Sequence, residues 1–235
     1  TWRDVQHLIV QAAEPVDTSH SDWTTNGTGI PINHSYGFGQ LDAVRLIQGA
    51  QNWTPVAPQI ALDAGVIETT ISIPDNDPLG IDIPVVVADN LAIEHVIADI
   101  AVNGTYIGDL SITLTSPDGT QSIIHTQHNN SADVMDHTFH SVRSWGEQAA
   151  GTWNLNIADN ANLDTHTFTK FALRFLGTEF LCPADQDGDN VLTTDDFLAW
   201  LANYNKGDLK ADMNANGTLE PADFTAWIAA FNQGC

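Results

Sequence analysis

Positive charge is what this chain lacks. Seven Lys and Arg residues stand against 30 Asp and Glu, for a formal net charge of −23. A surface of that sign repels phosphate backbones and anionic headgroups, which excludes nucleic acid as a partner. Nowhere do about eighteen apolar residues run together, so no membrane span is expected. No charged and apolar leader opens the chain, and no signal peptide is read from it. Cysteine is nearly absent. The two that occur, Cys182 and Cys235, flank the last part of the sequence, and are expected to form one disulfide in an oxidising compartment, two unrelated thiols being the alternative.

Apolar content of 43% is ample for a core, and much of it is arranged with a period of two. In Ile107 to Ile124, Leu110, Ile112 and Leu114 alternate with Ser111, Thr113 and Thr115. Ser116-Pro117-Asp118-Gly119 supplies a turn, and a second β-branched run follows. That pattern predicts a hairpin with one buried face. Similar short runs recur at Val66 to Ile73, Ile81 to Val87, Ile93 to Val102, Leu110 to Leu114, Ser122 to Gln127, Asp136 to Val142, Gly151 to Ala158 and Phe168 to Leu176. Together they predict a mainly β fold, an antiparallel jelly-roll sandwich. Trp145 and Trp153 are expected as core or rim fillers, with an exposed sugar-stacking platform as the alternative.

The Gly108-Asp109-Leu110-Ser111-Ile112-Thr113-Leu114-Thr115-Ser116-Pro117-Asp118-Gly119-Thr120 stretch resembles the P (Homo B) domain that follows the catalytic domain of kexin- and furin-like proprotein convertases. Thr138 to Glu147 and Gly151 to Asp159 continue the resemblance in the family's order. Ile73-Pro74-Asp75 and Ile93-Glu94-His95-Val96 supply its upstream half. The sequence departs from the pattern at Asn103, where His is common, and at His166, where Gly is expected.

Upstream, Trp2, Val5, Leu8, Ile9 and Ala12 fall at helical spacing with Asp4 in the first turn. A second helix is expected over Leu41 to Ala50, burying Leu41, Val44, Leu46 and Ile47. Thr1 to Gln11 and His34 to Ala43 resemble the last two helices of a convertase-type subtilisin domain, which places the start of this stretch just downstream of a catalytic serine. No Asp, His-Gly-Thr or Gly-Thr-Ser triad motif is present, and the adjacent His34 and Ser35 are not expected to face each other. The stretch alone is expected to cleave nothing. Two prolines in Asn52 to Pro58 mark a connector.

The end of the chain carries an internal duplication. Asp185, Asp187, Asp189 and Asp196 occupy positions one, three, five and twelve of a calcium loop, and Val191 offers a backbone carbonyl at position seven. Asp212, Asn214, Asn216, Thr218 and Asp223 repeat the arrangement with an offset of 27 residues. Ca2+ is the expected ligand, with the first loop, which has more carboxylates, binding more tightly. Asn190 stands where the loop usually has Gly. Such duplicated loops, each with one helix, resemble a dockerin, an EF-hand-like module that in cellulosomal enzymes plugs into a cohesin scaffold.

Two histidine pairs, His125 with His128 and His137 with His140, have three-residue spacing. On strands such spacing alternates faces, so enrichment without zinc is the expectation. Asn26, Asn52, Asn103 and Asn216 open Asn-X-Thr acceptor sequences, meaningful only in a eukaryotic secretory pathway.

The whole reads as residues 1–57, the tail of a subtilisin-like catalytic domain; 58–181, a P domain; and 182–235, a dockerin-like module. The resemblance implies a secreted, calcium-dependent serine endopeptidase whose catalytic domain the P domain stabilises. The competing reading is a protein- or glycan-binding module tethered through the dockerin-like end.

Overall fold

Thr1 opens the first helix: its hydroxyl accepts from the Asp4 N–H and the Asp4 carboxylate reaches back, a capping box that starts α1 (Trp2–Ala12). The computed structural model describes residues 1–51, 53–180, 182–189, 191–214 and 216–233. They divide into two compact units, Thr1–Glu179 and Phe180–Cys235.

In the first unit, four two-residue strands connect the helical layer: β1 (Ala13–Glu14), β2 (Thr24–Thr25), β3 (Pro31–Ile32) and β4 (Gln40–Leu41). They pair as β1 with β4 and β2 with β3. Helix α2 (Ala43–Gln51) packs on α1, with the Gly49 backbone against Leu8. The expected burial of the helical apolar faces is only partly realised. Leu8 and Ala12 are buried, but Trp2, Val5, Ile9, Leu41, Val44 and Ile47 are exposed and Leu46 is half-buried. The physical reason is that two of the four buried positions of α1 are polar, Arg3 bonded to buried Glu94 and Asp4 bonded to Thr1, Trp53 and Val56, and α2 buries no residue fully.

Eight long strands follow: β5 (Ile60–Ile73), β6 (Asp77–Val87), β7 (Ala92–Asn103), β8 (Leu110–Thr115), β9 (Gln121–His125), β10 (Val134–Ser141), β11 (Gly151–Asp159) and β12 (His166–Thr178). They form two four-stranded antiparallel sheets, ordered β10-β7-β12-β5 and β6-β11-β8-β9. One core cluster joins their inner faces, including Ile100, Val102, Leu110, Ile112, Leu114, Trp153, Leu155, Phe168, Phe171 and Phe175. Strand β8 alternates buried and half-buried residues without a break, as its period-two sequence requires. In the hairpin turn, Gly119 has φ +85° and donates to the Ser116 carbonyl at 2.9 Å.

Strand β12 breaks the alternation, since Phe168 and Phe171 are three apart yet both face the core. A β-bulge explains it. Phe168 pairs with Val102 and Lys170 with Ala101, so Thr169 is the extra residue and the inward face changes parity there. His166, which departs from the family pattern, is fully buried. Its Nδ1 lies 2.8 Å from Asp159 Oδ2 and its Nε2 3.1 Å from the Tyr106 carbonyl. Gly104 makes room, because a Cβ there would fall 2.2 Å from His166 Cδ2.

The second unit holds α3 (Thr194–Lys206), a 3-10 turn over Leu209–Ala211, and α4 (Pro221–Gln233). Its core is small: Trp200, Ala211 and Trp227, packed by Phe197, Tyr204, Met213, Leu219 and Phe231. Trp200 Nε1 donates to the Ala211 carbonyl at 3.2 Å, and Trp227 Nε1 to the Ala184 carbonyl at 3.1 Å. Each helix thus ties down the residue just before the other acidic loop.

Candidate functional site

The first acidic loop gathers its carboxylates. Ligand oxygens of Asp185, Asp187 and Asp189 lie within 4.8 Å of one another. Asp196, the third residue of α3, is buried and oriented by backbone donors: Gln186 N–H at 2.8 Å and Asp187 N–H at 3.3 Å to Oδ1, Thr193 N–H at 2.8 Å to Oδ2. Burial pushes its carboxyl up, but those N–H bonds outweigh it and leave it below the ordinary range. Asp187 shifts the other way, raised by desolvation and then by the charges of Asp189, Asp196 and Asp185. All the donors gathered here are the hard oxygens that calcium takes. The loop therefore fits the ion.

The second loop is built by the same backbone-to-side-chain bonds. Gly217 N–H donates to Asp212 Oδ2 at 2.7 Å, Thr218 N–H to Asn216 Oδ1 at 2.8 Å, and Asn214 and Glu220 N–H to Asp223 at 3.3 and 2.8 Å. The left-handed residue is Gly188, position four, in the first loop and Gly217, position six, in the second; Asn190 lies outside the described residues. Glu220 was missed by the sequence reading. Its Oε1 accepts from Asn216 Nδ2 at 2.8 Å, which brings a third carboxylate to this loop. The signal was available, since Glu220 is position nine of the twelve-residue repeat.

In the first unit, a polar seam joins the helical layer to the sandwich. Glu94, on β7, is buried and accepts from Arg3 Nε at 2.9 Å and Arg3 Nη2 at 2.5 Å, with His7 Nε2 at 2.8 Å and Gln59 Nε2 at 3.2 Å. Burial pushes the Glu94 carboxyl up, yet these bonds hold it below the ordinary range. Nearby, Asn26 Nδ2 donates to the Trp145 carbonyl at 2.9 Å, and Gly27 N–H donates to Glu147 Oε1 at 2.7 Å, an oxygen that Thr120 also bonds. Gly27 is needed for this approach because a Cβ would meet Asp118 at 2.5 Å. Nothing in the hydropathy pattern marks Glu94 or Glu147, whose partners are 91 and 120 residues away in sequence.

Other residues singled out by sequence find structural employment. His34 Nδ1 lies 2.9 Å from Asp22 and its Nε2 accepts from the Ile123 N–H at 3.0 Å, so neither ring nitrogen faces Ser35. Trp145 and Trp153 are buried, which removes the exposed sugar platform. Asn26 is buried with both ends of its amide engaged, whereas Asn103 and Asn216 are exposed and Asn52 lies outside the described residues. Cys235 also lies outside them, so its pairing with Cys182 remains an expectation.

Residues 93–175 match the family model described as the proprotein convertase P-domain. Residues 93–175, from β7 into β12, are a P domain. Mouse furin is 36% identical over 208 residues, covering 83% of this chain and 26% of furin. Furin-like protease 1 of Drosophila melanogaster is 31% identical over 191 residues, 80% of this chain and 17% of that protein. The chain therefore spans about a quarter or less of the length of these relatives, and its P domain is homologous to a non-catalytic region of them. In fold, the chain is similar to the Aeromonas sobria serine protease in complex with its chaperone, with a TM-score of 0.69 and 22% identity over 76% of this chain and 40% of that one. The free protease gives a TM-score of 0.67. Among the described residues no helix is long and apolar enough to cross a membrane.

Proposed function

We propose that this chain is the C-terminal, non-catalytic region of a secreted, calcium-dependent serine endopeptidase of the subtilisin/kexin type. Residues 1–57 are the tail of the catalytic domain, 58–181 the P domain and 182–235 a dockerin-like calcium module. The observation that carries the reading is the two-sided helical layer. One side of α1 is bonded to the P domain through Arg3, His7 and Glu94, while Trp2, Val5, Ile9, Val44 and Ile47 leave apolar surface without cover. A catalytic-domain body is the partner whose core those side chains would complete. The P domain then holds the last helices of that body in place, which is how it stabilises the enzyme.

The jelly-roll reading of the sandwich is supported by strand order: of its eight strands, first, eighth, third and sixth lie in one sheet, second, seventh, fourth and fifth in the other. For the last module, the duplicated loops and the reciprocal tryptophan bonds support a dockerin-like unit. Its ligands to Ca2+ would be Asp185, Asp187, Asp189, Asp196 and the Val191 carbonyl in one loop, and Asp212, Asn214, Asn216, Asp223 and the Thr218 carbonyl in the other. The ion supplies the positive charge that lets these carboxylates share a site. A Cys182–Cys235 disulfide would close the module, and a cohesin-like scaffold is its candidate partner.

The test is to immunoprecipitate the native polypeptide carrying this sequence from producing cells and treat it with a fluorophosphonate probe for reactive serine. The proposal expects a labelled species. An unlabelled native polypeptide, with labelled subtilisin as positive control, would remove the protease reading and leave a binding module.

A further inference from the structure

Asn-Gly-Thr occurs at Asn26, Asn103 and Asn216. In an Asn-Gly pair the backbone nitrogen of the glycine can attack the side-chain amide, because no Cβ shields it. The three local sequences are the same, so any difference in reactivity comes from the fold. Two of them are held against the reaction. Asn26 is buried, and its amide is clamped on both ends: Oδ1 accepts from Thr28 and from the Ile30 N–H, while Nδ2 donates to the Arg143 and Trp145 carbonyls at 3.1 and 2.9 Å. Asn103 closes β7, paired with Val134 on one side and Thr167 on the other, and the Gly104 N–H donates to the Asp133 carbonyl at 2.7 Å.

Asn216 is exposed, and its bonds stay within the second acidic loop. Its Oδ1 accepts from the Thr218 N–H at 2.8 Å and from the Thr218 hydroxyl at 2.6 Å. Two donors on that oxygen stabilise the charge it gains when Cγ becomes tetrahedral. The Gly217 N–H donates to Asp212 Oδ2 at 2.7 Å, which draws electron density toward the attacking nitrogen. On the leaving side, Nδ2 donates to Glu220 Oε1 at 2.8 Å. Beyond its chain neighbours, no heavy atom of the described residues lies within 4 Å of where a Cβ on Gly217 would point, so water reaches the pair.

We propose that Asn216 is a self-modification site. The Gly217 nitrogen bonds to Asn216 Cγ, the Cγ–Nδ2 bond breaks, and the amide leaves as ammonia with the Gly217 proton. Water then opens the cyclic imide at either carbonyl, giving aspartate or, with the backbone rerouted through the side chain, isoaspartate. Either product adds a negative charge to the loop, and isoaspartate also lengthens the backbone between Asp212 and Asp223 by one carbon. The loop governs its own reaction through its ion, a step that rests on the calcium reading above. An ion held by Asp212 and Asn216 draws both side chains away from these bonds and fixes the amide as a ligand, so a filled loop is protected and an empty one ages.

The test incubates the full chain at neutral pH with one equivalent of calcium, which the carboxylate-rich first loop takes, and reads amide-to-acid conversion peptide by peptide in a mass spectrometer. Asn216 should convert at least about ten-fold faster than Asn26 or Asn103, and in urea, where the local sequences alone decide, the three rates should converge. Thr218→Val should slow Asn216 by about ten-fold through loss of a donor to Oδ1, while Thr218→Ser, which keeps the hydroxyl, should match the wild type. Circular dichroism checks that each variant is folded. Equal conversion at the three pairs in the native chain would overturn the proposal, and an unchanged rate in folded Thr218→Val would overturn the role of its hydroxyl. Saturating calcium should suppress conversion at Asn216 alone. Fast conversion at saturation would overturn the protection, and with it the calcium assignment of this loop, while the modification site would stand.

Discussion

The two compact units are held together by different forces. The P domain buries a continuous apolar core across two sheets, with Trp153, Phe168, Phe171 and Phe175 almost inaccessible to water. Among its described residues the C-terminal unit has four buried apolar ones, Ala184, Trp200, Ala211 and Trp227, beside two acidic loops. Small cores of that size rarely support a fold without a metal or disulfide. The difference teaches that one unit draws its stability from apolar burial, whereas the other, on the proposed reading, would depend on a cation held by its acidic loops.

Removing calcium should produce the largest effect. Calorimetry of the full chain should show two transitions, of which only the one from residues 180–235 collapses on chelation; a chelator-insensitive pair would break the contrast. Next comes the core. Trp153→Ala should cost the sandwich about 3–5 kcal/mol in denaturant unfolding through lost transfer energy and a cavity, and leave the calcium-dependent transition in place. A comparable loss, about 3 kcal/mol or more, is expected for Glu94→Ala, because Arg3 would be left buried without its partner. Glu94→Leu combined with Arg3→Met should recover much of it, which would separate a missing partner from a misfolded helix.

Smaller effects sharpen the comparison. Asp185→Asn should weaken calcium binding at its loop more than Asp212→Asn does at the other, by direct titration, since Asp185 belongs to the tight carboxylate cluster. The smallest is a pH slope. Desolvation holds the His95 ring below its ordinary value, and its Nε2 is buried without a partner. The unfolded chain therefore takes up a proton at His95 before the folded one does. This stability is complete above about pH 6.5 and declines as the pH falls below it. The melting temperature of the P domain should drop from pH 7 to pH 5, and His95→Gln should flatten that slope.

The alternating strands were legible because each has one face in the core and one in water, a constraint that writes a period of two into β8 and β11. The acidic loops were legible as candidate calcium sites because the order of oxygen donors is fixed along a single short segment. What the sequence hides are contacts made at long range. Glu94 meets Arg3 across 91 residues, and the bulge at Thr169 shows itself only as two phenylalanines out of phase. The helical faces misled for a related reason. Trp2, Val5 and Ile9 have the spacing of a buried stripe, but the surface that α1 presents to the sandwich is the polar one.

The contrast between the units is tested most directly by amide hydrogen exchange of the full chain with and without calcium, read by mass spectrometry. The account predicts that α3 and α4 lose protection on chelation, while β7, β8, β11 and β12 exchange at the same rates in both conditions. Equal protection of α3 and α4 with and without the ion would contradict it.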